Sequence, residues 1–230
     1  MPGYDIKHEQ IAVLGVDDLC IRSLLDRQQF ADPSGEAAAL GISSAMWPLF
    51  GLLWPSGRQL AVQMAQRSVQ SGERILEIGC GLALASLVSH RRGADITASD
   101  CHPLTEAFLG ENLRLNDLPP LTYRHGPWNG DASPAGYALR RGVLGRFDLI
   151  IGSDVLYERD DIGVLPAFIE RHAHDTASVI IIDPNRGNRA AFHRRMDALG
   201  FELHQSHIDE PATLASAGYQ GRLLRYDRIH

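Results

Sequence analysis

The stretch RILEIGCGLA, residues 74 to 83, places a short apolar strand directly before a turn that contains two glycines. Residues 82 to 93, which begin within this stretch, carry apolar side chains on one face of a helix and end on a glycine. Gly79 and Gly81 let the backbone approach a ligand closely at the end of the strand, where doubly wound sheets bind nucleotides. A strand, a glycine turn and a helix in this order predict the first unit of a nucleotide-binding sheet.

The rest of the chain repeats this alternation of strands and helices. Two predicted strands, 147–154 and 177–184, are apolar on both faces, as in the middle of a parallel sheet that helices cover on either side. Two final strands, 201–209 and 222–229, have only a loop between them and should therefore pair antiparallel. We expect an α/β fold with a doubly wound, mainly parallel, seven-stranded Rossmann-like sheet and a C-terminal antiparallel hairpin. Further strands are predicted at 94–100 and 121–126, and helices at 57–69, 103–116, about 161–173 and about 188–199.

The length of the chain indicates one domain with an N-terminal extension. A second full domain within 230 residues would leave both halves small. We therefore expect residues 54–230 to form the domain and residues 1–53 to form the extension, in which residues 11–22 could make a small hairpin.

The composition disfavours several kinds of partner. The 22 Lys and Arg against 28 Asp and Glu give a net charge of -6, which disfavours nucleic acid. The most apolar stretch, residues 45–55, is too short to span a bilayer, and no membrane partner is expected. Three cysteines without a CxxC pair suggest neither a disulfide framework nor a zinc site, and the histidines show no metal-ligand spacing. We expect a cytoplasmic protein that holds no metal.

The residues around the glycine turn favour one kind of nucleotide. Asp100 ends the second predicted strand, 21 residues after Gly79, where a carboxylate can accept both ribose hydroxyls. Leu84 stands where a dinucleotide-binding turn has its third glycine. Glu77 places an acid just before the turn, which would repel a pyrophosphate and would suit a cofactor that carries an ammonium group. These features predict S-adenosylmethionine rather than NAD.

At this point the chain resembles the class I, seven-stranded, S-adenosylmethionine-dependent methyltransferases. The resemblance covers about residues 54–230, and Ala83 replaces the third glycine that is frequent in that family. The terminal hairpin distinguishes their sheet from a plain dinucleotide-binding one. The resemblance implies that residues 54–230 form an S-adenosylmethionine-dependent methyltransferase domain.

Several short motifs resemble one branch of these enzymes, the [DE]-x-x-Y lysine methyltransferases. SDVLY, residues 153–157, resembles this [DE]-x-x-Y pattern. It stands at the place where enzymes that methylate DNA adenine or glutamine amides carry an NPPY-type motif. The branch tends to show Trp-Pro, then an acid with a small residue, then a lone Trp, and here these are Trp54-Pro55, Asp100-Cys101 and Trp128. DPNR, residues 183–186, resembles a segment of bacterial members and of relatives that modify the electron-transfer flavoprotein β subunit.

The resemblance implies roles for individual residues. Asp154 would receive the cationic chain of the acceptor and orient its amine, and Tyr157 would wall the catalytic site. Trp128 would lie against the adenine and Trp54 near the methionine end of the cofactor. A simpler alternative is that Asp154 only caps the next helix and that the aromatic residues only pack. The expected cofactor-binding residues are Trp54, Glu77, Gly79, Cys80, Gly81, Asp100, Cys101, Trp128 and Ser153.

The function that we expect is transfer of a methyl group from S-adenosylmethionine to a lysine side chain of a protein substrate. A small-molecule N-methyltransferase and a non-catalytic cofactor-binding or interaction module are the alternatives. The joint presence of Glu77, Asp100, Asp154 and Tyr157 argues against the non-catalytic module. A shallow, open groove at the site would favour a protein acceptor, and a lidded pocket would favour a metabolite.

Overall fold

Within the residues that it describes, a computed structural model of the protein shows two sheets. The structure describes residues 3–129, 142–157, 160, 162–212 and 218–229. The strands are β1 (Ile6–Val13), β2 (Val16–Leu24), β3 (Arg74–Ile78), β4 (Asp95–Asp100), β5 (Thr122–His125), β6 (Phe147–Ser153), β7 (Ala173–Asp183), β8 (Glu202–Glu210) and β9 (Tyr219–Arg228). The helices are α1 (Glu36–Ala39), α2 (Pro55–Gln66), α3 (Leu84–Arg91), α4 (Thr105–Leu115), α5 (Val164–His172) and α6 (Arg189–Ala198), with a 3-10 helix at Trp47–Gly51.

Among the described residues, the large sheet has seven strands in the order β5-β4-β3-β6-β7-β9-β8. Its first five members pair in parallel, whereas β9 is antiparallel to both β7 and β8. The predicted fold class, including the C-terminal antiparallel hairpin, is confirmed. β1 and β2 form a separate antiparallel pair, longer than the expected hairpin at residues 11–22.

The central strands are apolar on both faces because each face is covered by helices. Leu76, Ile150 and Ile181 are buried with the side chains of α5 and α6. Their chain neighbours Ile75 and Ile151 are buried on the other face, with α2, α3, α4 and the β1–β2 hairpin. Successive side chains of a strand point to opposite faces, so one continuous apolar run serves both layers.

The start of α5 and the start of β7 differ from the sequence prediction. α5 begins at Val164 rather than near 161, because the Asp160 carboxylate accepts the N–H groups of Gly163 and Val164. β7 begins at Ala173 and departs from regular pairing with β6 before residue 178. The backbone carbonyls in this irregular segment bind the buried guanidinium of Arg228, a contact that strand periodicity does not reveal.

The extension packs onto the sheet domain through α4. Asn116 exchanges two hydrogen bonds of 2.8 Å with the backbone of Cys20, and Asn112 accepts the N–H of Arg22 at 2.7 Å. These amide side chains therefore pair with β2 much as a neighbouring strand would. None of the described helices is long and apolar enough to cross a lipid bilayer.

Trp47 links the extension to the domain core and provides a test of this packing. Its side chain is 1% exposed, and its ring centroid lies 5.7 Å from that of Phe50 and 5.5 Å from that of His102. Trp47→Ala should lower the free energy of unfolding by about 3 to 5 kcal/mol, because it leaves a large cavity. Denaturant unfolding measures this change.

The matched control is Leu14→Ala, which truncates a side chain that is 71% exposed in the β1–β2 turn. It should change the free energy of unfolding by no more than about 0.5 kcal/mol. If Trp47→Ala cost as little as this control, the extension would not share a core with the sheet.

Candidate active site

A cavity of about 510 Å³ lies at the carboxyl ends of β3, β4 and β6. This edge of a parallel sheet is where α/β proteins bind their ligands. The extension supplies part of the wall, chiefly through apolar residues between 40 and 53. The eleven residues predicted from the sequence all line the cavity: Trp54, Glu77, Gly79, Cys80, Gly81, Asp100, Cys101, Trp128, Ser153, Asp154 and Tyr157.

The glycine turn needs glycine for two separate reasons. Gly79 and Gly81 have φ values of 56° and 52°, in the left-handed region that side chains disfavour. A Cβ atom on Gly81 would also lie 2.9 Å from the carbonyl oxygen of Phe50, so the extension closes directly over the turn. Ala83 adopts a φ of 57° at the start of α3, where an alanine costs about 1 to 2 kcal/mol relative to glycine.

Asp100 holds this turn in place. One carboxylate oxygen accepts the N–H of Gly81 at 2.9 Å, and the other accepts the N–H of His102 at 2.8 Å. Burial raises the pKa of Asp100, and these backbone N–H groups oppose that rise. Each carboxylate oxygen has a second lone pair, so the group can also accept hydroxyl groups of a ligand in the cavity.

Glu77 is a second buried carboxylate at the same edge. Its side chain accepts hydrogen bonds from the backbone N–H, at 2.8 Å, and from the hydroxyl group of Ser86. Burial raises the pKa of Glu77 to about 7, against these hydrogen bonds and with a smaller contribution from the charge of Asp100. A positively charged ligand stabilises the ionised form of a buried carboxylate of this kind.

The two tryptophans predicted to contact the cofactor have different surroundings. A Cβ atom on Gly79 would lie 3.5 Å from the Trp128 ring, so Trp128 stands directly beside the glycine turn. Trp54 donates its indole N–H to the carbonyl of Leu49, and the Arg27 guanidinium lies 5.4 Å from its ring centroid. Trp54 therefore also contributes to local packing, which is the simpler alternative given above for the aromatic residues.

Asp154 occupies an unusual backbone position at the end of β6. Its φ is 56°, and its N–H donates to the carbonyl of Ile182 at 2.8 Å, which fixes it against β7. Its carboxylate lies 2.8 Å from the Nε of Arg186, and its side chain is 11% exposed. The alternative that Asp154 caps the next helix is wrong, because Asp160 caps α5.

Sequence analysis missed two features of the site. The sequence pattern assigns no role in the site to Arg186, although an arginine three residues after the strand-terminal Asp183 is a usable signal. Phe50 and His102 stack with ring centroids 3.7 Å apart at the cavity wall, and neither residue was predicted there. No group of three or more His, Cys, Asp or Glu side chains that could hold a metal is found within the described ranges.

Comparisons with known proteins agree with this geometry. A model of the lysine methyltransferase family matches residues 45–197. The mouse electron transfer flavoprotein beta subunit lysine methyltransferase is 26% identical over 147 residues, 60% of this chain and 51% of that protein. The Aspergillus fumigatus protein N-terminal and lysine N-methyltransferase efm7 is 28% identical over 153 residues, 60% of this chain and 58% of that protein. The chain thus spans about half the length of the curated relatives it matches.

The fold also matches solved structures. Magnesium protoporphyrin IX methyltransferase from Synechocystis PCC 6803, solved with bound S-adenosylmethionine, has a TM-score of 0.56 and 15% sequence identity. The match covers 75% of this chain and 78% of that one. The fold is therefore that of the S-adenosylmethionine-binding methyltransferase in this solved structure. The chain itself belongs to the lysine methyltransferase family.

The residues of the cavity fit S-adenosylmethionine. Glu77 could hold its ammonium group, and Asp100 could accept the hydroxyl groups of its ribose. Gly79 and Gly81 line the cavity and present backbone rather than side chains to a ligand. The negative charges that face the cavity suit a cofactor that is cationic at its sulfonium.

Glu77 should make the stability of the protein depend on pH. Because its pKa is raised from 4.5 to about 7 in the folded state, its stabilising contribution is complete below pH 4.5 and is lost as the pH rises through about 7. Glu77→Gln keeps the hydrogen bonds and removes this loss, on the order of 3 kcal/mol. Thermal or denaturant unfolding of the cofactor-free protein across this pH range measures the effect.

The matched control is Glu106→Gln, at an exposed position of α4, which should keep the wild-type pH dependence. An unchanged pH dependence in Glu77→Gln would show that the Glu77 carboxyl does not bind its proton more tightly in the folded protein.

Proposed function

We propose that the protein transfers a methyl group from S-adenosylmethionine to the side-chain amine of a lysine in a protein substrate. The observation that carries this proposal is the position of Asp154, which lines the same cavity as Glu77, Gly81 and Asp100. Membership of the lysine methyltransferase family supports it, as do the lysine-modifying activities in the names of the mouse and Aspergillus relatives.

The reaction requires a neutral amine in line with the transferable methyl group. When bound, S-adenosylmethionine supplies a methyl group on a sulfonium, and no metal is required. Removing the proton from a lysine ammonium at pH 7 costs about 4 to 5 kcal/mol, given its reference pKa near 10.4. Correct alignment of reacting groups can contribute roughly 7 to 11 kcal/mol, so positioning by the protein can exceed that cost.

Asp154 and Tyr157 are the residues that we assign to positioning the acceptor amine. The Asp154 carboxylate attracts the cationic side chain and accepts hydrogen bonds from its nitrogen. Tyr157, also in the cavity lining, would contact the amine through its ring face or its hydroxyl group. Both residues belong to the loop that follows β6, so one short segment sets the approach of the amine.

A protein acceptor is supported by the exposure of the rim above Asp154. Tyr157 is 41% exposed and the Arg186 side chain 40% exposed, while Asp154 beneath them is 11% exposed. A long side chain on a protein surface could therefore reach the carboxylate from outside. We further propose that residues 54–230 form the catalytic domain and that the extension shapes the substrate entrance, since Arg27 and Leu53 line the cavity.

Three cysteines without a CxxC pair support placing the protein in a reducing compartment, and we propose the cytoplasm. No nucleic-acid or membrane partner is proposed. The net charge of -6 disfavours a nucleic acid.

A paired substitution of two aspartates tests the proposed function. Asp154→Ala should keep the affinity for S-adenosylmethionine within about threefold and lower methyl transfer at least a hundredfold, because alignment of the amine is lost. Asp100→Ala should weaken cofactor binding at least tenfold, because it removes a charged acceptor. Calorimetry measures cofactor binding. Labelling of host-cell extract proteins with radioactive S-adenosylmethionine, resolved on a gel, measures transfer.

A discrete labelled band that Asp154→Ala loses would support the proposal. Label confined to the small-molecule fraction would favour a metabolite acceptor instead. Equal loss of cofactor affinity and of transfer in Asp154→Ala would contradict the role of Asp154 as a residue that acts on the acceptor.

A further inference from the structure

Arg186 forms an ion pair with the proposed acceptor-binding carboxylate. Its Nε lies 2.8 Å from one oxygen of Asp154, and both residues line the cavity. The backbone N–H of Arg186 donates to the buried carboxylate of Asp183 at 2.9 Å, which fixes the turn after β7. Asp183 and Arg186, in the turn after β7, thus connect the end of β7 to the Asp154 carboxylate at the end of β6.

Other titratable groups interact with this pair within the described part of the chain. Asp183, at the end of β7, lies 3.5 Å from Arg189 of α6. Tyr219 of β9 interacts electrostatically with both Asp154 and Asp183, and its hydroxyl group is 3.0 Å from that of Ser56 on α2. Arg186 is the cation among these groups that contacts Asp154 directly.

An unpaired carboxylate beside the acceptor would create a problem for methyl transfer. A negative charge close to a lysine amine favours the ammonium form, which has no lone pair and cannot accept a methyl group. A fixed positive charge on the same carboxylate opposes this effect and makes the neutral amine easier to reach. The cationic substrate would consequently bind less tightly, but a larger fraction of it would be reactive.

We propose that Arg186 is a positioning residue whose positive charge balances the negative charge of Asp154. This balance lowers the affinity of the site for the lysine ammonium and favours the neutral amine. This inference rests on the proposed function of the site. Arg186 acts through Asp154, whose second carboxylate oxygen stays available to the acceptor. A lone carboxylate would bind the lysine ammonium tightly and would thereby reduce the fraction of neutral, reactive amine. The Asp154–Arg186 pair binds the ammonium less tightly and leaves a larger fraction of the lysine reactive.

The first test measures binding of a lysine mimic in the presence of S-adenosylhomocysteine. The probe is Nα-acetyl-lysine methylamide, titrated by NMR at pH 7, with the uncharged norleucine derivative as its comparison. Arg186→Gln should bind the lysine derivative about fivefold more tightly than wild type does, because Asp154 is no longer paired. Binding of the norleucine derivative should not change. An affinity for the lysine derivative that is equal or weaker in the variant would overturn the proposal.

The second test measures transfer as a function of pH. With a purified acceptor protein, chosen from the bands labelled in the extract, and with labelled cofactor both at saturating concentrations, Arg186→Gln should label about fivefold more slowly at pH 7, with the deficit shrinking toward pH 10. Arg186→Lys keeps the charge and should restore most of the rate at pH 7. A uniform deficit at every pH, or none, would overturn the proposal, because lost packing does not depend on protonation of the amine.

Arg225→Gln is the matched control, since Arg225 also pairs with an aspartate, Asp227, at 2.8 Å but does not line the cavity. It should match wild type in both tests. Absence of labelling by the wild-type protein would instead contradict the proposed function, and would thus be distinguished from failure of the Arg186 assignment alone.

Discussion

The hydrogen bond from the Gly81 amide to the Asp100 carboxylate ties the ends of β3 and β4 together, and the cavity depends on this connection. It holds the glycine turn in a backbone conformation that places the Phe50 carbonyl too close for any side chain on Gly81. The extension, the glycine turn and the end of β4 therefore meet at one point. Because a bound cofactor would lie against this point, the extension is part of the site rather than an appendage to it.

Three carboxylates at the strand ends set the electrostatic character of the cavity. Glu77 and Asp100 are buried, and burial raises the pKa of both groups, so the cofactor-free protein bears a cost for holding them there. A cationic ligand offsets this cost and stabilises the fold as it binds. Asp154 differs from these two because it pairs with Arg186, whose positive charge balances it, and this agrees with the role that we propose for Asp154 toward the acceptor.

The sequence predicted the parts of the molecule that depend on local pattern. The apolar runs of β6 and β7 follow periodicity, and the glycines at 79 and 81 and the acid at 100 follow spacing rules. The structure brings these glycines and this acid to one edge of the sheet. The features that the sequence did not predict depend on contacts between residues that are distant in sequence, and local patterns do not reveal such contacts. The Asp154–Arg186 contact spans 32 residues and the Gly81 contact with Phe50 spans 31, while the irregular start of β7 depends on Arg228 from the last strand.

The central claim is that the acceptor is a lysine side chain, and locating the methylated atom tests it most directly. Extract proteins incubated with the purified protein and S-adenosylmethionine would be digested and analysed by tandem mass spectrometry, alongside the small-molecule fraction. The account predicts a methyl group on the ε-nitrogen of a lysine, absent when the protein is left out. Methyl groups found only on an N-terminal α-amine, on an arginine or on a metabolite would contradict it.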